Sequence, residues 1–119
     1  MCEQVVKSRK RIHDKIIPTY RTEIISANVL EVEAGSTGYC GGDTGHGGRT
    51  YFRICDLAST DMHTKIIRDD HNSQIGFEVS LGGDTELDTM IDSLKFILSV
   101  LEGERGIKHK PVQVLESLY

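Results

Sequence analysis

Between Gly35 and Tyr51 the chain reads Gly-Ser-Thr-Gly-Tyr-Cys-Gly-Gly-Asp-Thr-Gly-His-Gly-Gly-Arg-Thr-Tyr, and seven of its twelve glycines fall in this stretch. Interleaved with them are Tyr39, Cys40, Asp43, Thr44, His46 and Arg49. A backbone this permissive can approach a ligand closely, at a price in ordering entropy. Three chemistries compete for it. In the first, consecutive amides around Gly41, Gly42, Gly45, Gly47 and Gly48 form an anion-binding nest, Thr37, Thr44 and Thr50 add hydroxyls, and Arg49 supplies a two-pronged fork for phosphate. Tyr39, Tyr51 or Phe52 would stack on a base, and Arg53, two residues beyond Tyr51, is the best outside candidate to join Arg49. The stretch is neither a Walker loop nor a dinucleotide fingerprint, because no Gly-Lys-Ser/Thr opens a helix and no helical pattern follows.

In the second reading the stretch is hydrolytic or metal-binding. Cys40, Asp43 and His46 recur at three-residue steps, and His63 or Asp61 would complete a ligand set. Glycines on every side hold ligands poorly, and no His-Glu-x-x-His or paired-cysteine motif is present, so the expectation is no metal and no cofactor. If the chain is an enzyme, Asp43 orienting His46 as general base is the pair to use, but no nucleophile is marked out beyond Cys40 and no catalytic residue is assigned. In the third reading the loop is structural or makes a protein contact, with Arg49, Asp43 and His46 bonded among themselves. The tetrapeptide Gly41-Gly42-Asp43-Thr44 recurs as Gly82-Gly83-Asp84-Thr85. There it serves as a strand-to-helix turn with an N-cap.

The elements that must position the loop are strands. Residues 22–34 read as one long strand with a change of phase near Val29-Leu30, which predicts a β-bulge or burial of both faces. The loop follows, and Thr50 to Leu57 resumes a β-rich composition, so the loop joins two neighbouring strands. Met62 to Arg68 and Gln74 to Leu81 pattern as a hairpin across Asp69–Ser73, with Ile75, Phe77, Val79 and Leu81 expected inward. From Asp84 or Thr85 to about Glu102 runs an amphipathic helix, its core stripe read as Leu87, Met90, Ile91, Leu94, Ile97, Leu98 and Leu101, ended by Gly103 and Gly106. Phe96 and Val100 fall outside that stripe and predict a subunit contact through helix 85–102.

A chain of 119 residues supports one domain. The expected division is a basic N-terminal arm over 1–21, a single α+β domain over 22–106 and a C-terminal tail over 107–119. The net charge of −4 hides an asymmetry, +4 over residues 1–21 and −8 over the rest. An acidic body disfavours general duplex binding, which needs a basic face. No apolar run is long enough for a membrane span, no secretory signal is visible at the start, and Cys2, Cys40 and Cys55 have no paired spacing. These features predict a cytoplasmic protein with reduced thiols.

Stretches such as Glu31–Tyr39 and Gly41–Ile54 look like small uncharacterised proteins of bacteria and their phages. The order of an antiparallel sheet followed by a helix, over residues 20–102, resembles the phage anti-Thoeris "sponge" proteins, which sequester cyclic-nucleotide-type immune signals. The resemblance is one of architecture and carries no site residue across. The expected fold is therefore α+β, an antiparallel sheet of four or five strands with one long C-terminal amphipathic helix packed on it, in a homo-oligomer. The expected function is non-catalytic binding of a small phosphorylated ligand or nucleotide, the alternatives being a small hydrolase and an oligomeric interaction module.

Overall fold

A computed structural model describes residues 4–12, 15–38 and 48–104. Four consecutive strands, β1 (Val6–Ile12), β2 (Lys15–Ile25), β3 (Val29–Ser36) and β4 (Thr50–Ala58), pair antiparallel in chain order. A hairpin of β5 (Asp61–Arg68) and β6 (Gln74–Gly82) forms a separate two-stranded sheet, and α1 (Asp84–Glu104) packs chiefly on β3. The fold is α+β, as expected. No helix among the described residues is long and apolar enough to cross a membrane.

The bulge predicted near Val29 is present: the β3–β4 register shifts between Val29 and Leu30, where Val29 faces Ala58 and Leu30 faces Asp56. Both faces of β3 are covered as well, since every residue from Val32 to Ser36 is buried. The single strand expected over 22–34 is instead two. The chain reverses at Ser26–Asn28, where the Ser26 amide donates to the Asn28 carbonyl at 2.8 Å.

Residues 1–21, expected as an arm, supply β1 and most of β2. Ile17 and Thr19 are fully buried there, so position 22 is no boundary. Strand β1 closes one edge of the sheet with Lys7, Arg9 and Arg11 on one face, a charged edge of the kind that resists further strand addition. The expected tail, residues 107–119, lies outside the described residues.

The core forms between α1 and one sheet face: Ile24, Leu30, Val32 and Ala34 meet Phe96, Ile97 and Val100. This corrects the helix reading. Phe96 and Val100 are fully buried, whereas Leu87, Ile91, Leu94 and Leu98 are 59, 41, 52 and 56% exposed. The core-facing stripe is Thr89, Ser93, Phe96, Ile97 and Val100, and its small hydroxyl residues disguise it as polar. Thr89 and Ser93 let the helix approach the sheet, and their oxygens are satisfied locally. Ser93 Oγ donates to the Thr89 carbonyl at 2.7 Å, while Asn28 Nδ2 donates to Thr89 Oγ1 at 3.0 Å and to Thr60 Oγ1 at 2.8 Å. Buried Asn28 thereby ties the β2–β3 turn to α1 and to the β4–β5 junction.

The helix begins where expected. Gly83 has φ +114, a backbone conformation that side chains with a Cβ rarely adopt, so glycine is required at the strand-to-helix turn. The helix continues through Gly103 to Glu104, past the first expected stop. The hairpin falls within a residue of its predicted bounds, and its turn is held by Asp69 Oδ1 accepting from the amides of His71 and Ser73 at 2.8 and 3.0 Å. Its apolar face is not inward, however: Ile75 and Phe77 are 63 and 58% exposed.

Candidate functional site

The glycine-rich stretch leaves the sheet from β3 and returns into β4, and its neck is closed by hydrogen bonds. The Thr37 amide donates to the Arg49 carbonyl at 3.1 Å, the Arg49 amide donates to Thr37 Oγ1 at 2.9 Å, and the Gly38 amide donates to Ser36 Oγ at 2.9 Å. A Cβ at Gly48 would lie 2.4 Å from the Gly38 carbonyl oxygen. Close approach of the two limbs is thus what demands a glycine there. Of the residues assigned to the site, Gly48, Arg49, Tyr51 and Arg53 are described. Tyr39, Gly41, Gly42, Asp43, Thr44, Gly45, His46 and Gly47 lie outside the described residues, as does the Cys40-Asp43-His46 set.

Alternation along the strands places Arg49, Tyr51 and Arg53 on the sheet face opposite α1. By register the same face carries Lys10 and Ile12 from β1, Lys15, Ile17, Thr19 and Arg21 from β2, and Glu31 and Glu33 from β3. Strands β1 and β4 are the two edges of this sheet, about 14 Å apart were it flat. Yet Lys10 Nζ sits 5.5 Å from the Tyr51 ring centroid, a cation–π contact, and Ile17 and Thr19 on the strand between are fully buried, the pattern of a sheet curled to make this face concave.

Charge on the concave face is sorted along its length. Midway, Arg53 Nη2 donates to Glu31 Oε1 at 2.7 Å and to Glu33 Oε1 at 3.1 Å, Arg21 stands 3.9 Å from Glu31, and Thr19 Oγ1 donates to the buried Glu33 at 2.6 Å. Burial works against the Arg53 charge, but Cys55, Glu31, Tyr51 and Glu33 together raise its pKa above the ordinary value. Arg53 is therefore a sheet ion pair rather than a partner for Arg49, and its Nε is buried and unbonded. At the loop end the pattern reverses. Lys10 lies over Tyr51, Lys15 and Arg49 stand at the same end of this face by register, and among the described residues no carboxylate lies within ion-pair distance of any of the three. Arg49 Nη1 donates only to the Gly48 carbonyl, at 3.1 Å.

Lys10 and Lys15 were missed as site residues because residues 1–21 read as an arm. Had Val6, Ser8, Lys10 and Ile12 been taken as one face of a strand, the signal was there. Among the described residues no group of three or more His, Cys, Asp or Glu side chains gathers as a metal site. The histidine–carboxylate pair that is formed, His63 to Asp61 at 2.9 Å, is exposed on the hairpin.

A second concavity lies on the α1 side. Phe52 and Ile54 of β4, Met62, Phe77 and Val79 of the hairpin, and Leu94 of α1 line an open cleft of about 700 Å³. Phe52 and Phe77 meet there with ring centroids 6.0 Å apart. Compared with protein-family models, with curated proteins and with solved structures, the chain matches none of them.

Proposed function

We propose that this chain binds a small phosphorylated ligand of the nucleotide class without turning it over, at the loop end of the concave sheet face. A sequestering role of that kind is also what the resemblance to phage sponge proteins implies. The observation that carries the reading is Lys10 lying over the half-buried ring of Tyr51 at the end of the face that also bears Lys15 and Arg49, three cations without a carboxylate partner among the described residues. Fixed positive charge beside an aromatic ring suits an anion attached to a base. The closed neck at Thr37 and Arg49 holds the guanidinium at the rim whatever the loop carries.

A panel of nucleotides and cyclic nucleotides, screened by thermal shift and followed by chromatography of the ligand recovered from the complex, tests it. Intact ligand supports binding, and a converted product supports the hydrolase reading with Asp43 and His46. Arg49→Ala removes a charge-assisted hydrogen bond worth about 1.5–3 kcal/mol, more than tenfold in affinity, and leaves the melting temperature of the free protein nearly unchanged. If Arg49→Ala unfolds the chain and no phosphorylated compound shifts its melting, the loop is a structural one.

A further inference from the structure

We propose that the segment following α1 lays residues 112–115 along the free edge of β4, as a fifth strand of the sheet, and so fills the cleft on the α1 side. Five consecutive residues of β4, Thr50 to Ile54, line that cleft. Side chains of a strand alternate between two faces, so an unbroken run lines a cavity only where the strand presents its edge. Strand β4 is an outer strand of its sheet, and among the described residues no backbone group bonds to its outer side. The hairpin stands off as a separate sheet and offers Met62, Phe77 and Val79 as the opposite wall, with Leu94 of α1 beside them. An open backbone edge next to an apolar wall is what an added strand uses: its main chain pairs with the edge, and every second side chain enters the apolar side. An edge left bare would be a template for aggregation, which native chains cover.

Reach, charge and pattern assign the occupant to the chain's own tail. Leu94 lies about 15 Å back along α1 from its end at Glu104, and residues 105–111 span up to about 23–25 Å when extended. Residue 112 therefore reaches Leu94 with slack. Helix α1 carries six carboxylates against Lys95 and has no basic residue in its last turn, whereas residues 105–110 hold Arg105, Lys108 and Lys110 and no acid. A basic link folded back along an acidic helix is attracted to it, most of all at the negative C-terminal end. Pro111, which has no N–H to donate, suits the first position of an added strand, and Val112, Gln113 and Val114 alternate in a β-rich run. With Val112 and Val114 beside Phe52 and Ile54 on the apolar side, Gln113 falls opposite Arg53 whichever way the strand runs. The Arg53 Nε is buried without an acceptor among the described residues, and the Gln113 side-chain carbonyl supplies one. A foreign peptide would have to compete with a segment tethered at an effective concentration on the order of millimolar. The docking does not depend on the ligand reading, though Gln113 would join Arg53 on the concave face.

Amide hydrogen exchange of the full chain, read residue by residue, tests this. A free edge strand bonds its one neighbour through alternate amides, and the others exchange fast. With the tail in place, the consecutive amides of Tyr51, Phe52, Arg53 and Ile54 should all be slow. In the full-length double variant Val112→Asp/Val114→Asp, the outward amides among these four should exchange about tenfold faster or more. Those bonded to β3, and the mass in solution, should not change. Alternating fast and slow amides in the wild type would overturn the proposal, as would protection that survives in the variant. Protection lost on dilution, with the mass falling by half, would also overturn it and make a second copy the occupant.

Discussion

Strands β3 and β6 show opposite relations between pattern and burial. Strand β6 has the cleanest alternation in the chain, with Ile75, Phe77, Val79 and Leu81 on one side, yet the first three stand substantially exposed on the hairpin. Strand β3 alternates badly, because its phase slips at Val29-Leu30, yet it lies at the centre of the molecule with Leu30, Val32 and Ala34 fully buried. Alternation reports that a strand has an apolar side. It does not report whether the same chain covers that side. Strand β3 is flanked by β2 and β4 and roofed by α1, whereas β6 has one strand neighbour and faces a cleft.

The contrast can be broken by substitution. Phe96→Ala empties a fully enclosed site under β3 and should cost about 3–5 kcal/mol, read by equilibrium denaturation; a loss below about 1 kcal/mol would put the core elsewhere. Asn28→Ala leaves Thr60 and Thr89 without their buried amide partner and should cost about 1–3 kcal/mol, with a faster-exchanging amide in the first turns of α1. At the other extreme, Ile75→Thr on the hairpin keeps the strand-forming branched shape and should change the stability of the single chain by no more than about 0.5 kcal/mol. A large loss there would mean that the apolar side of the hairpin is packed within its own chain as far out as Ile75 after all.

Much of this architecture could be read from residue order. The bulge was legible because two apolar residues in succession break a two-residue period, and the hairpin because five turn-forming residues from Asp69 to Ser73 separate two β-rich runs. The β2–β3 reversal was not, since Ile25, Ala27 and Val29 keep alternating straight through Ser26–Asn28 and no glycine or proline interrupts them. The face of α1 was misjudged for an energetic reason. Leucines carry more apolar area than the threonine and serine of the true core stripe, but a sheet that a helix must approach closely favours small side chains with hydroxyls that bond back to the helix. Arg49 was legible as a lone cation in a glycine-rich loop. Its neighbours Lys10 and Lys15 were not, because they come from strands whose partners lie far along the chain.

During synthesis the meander from β1 to β4 is complete before any of α1 has been made, since each strand pairs with the one just before it and such local pairing closes quickly. Until the last described residues are added, Ile24, Leu30, Val32 and Ala34 have no roof. A nascent or truncated chain ending near Gly83 would thus present a formed sheet with a bare oily side. Such a species recruits chaperones and aggregates, and a stop codon ahead of the helix would more readily yield an insoluble fragment than a weakened protein.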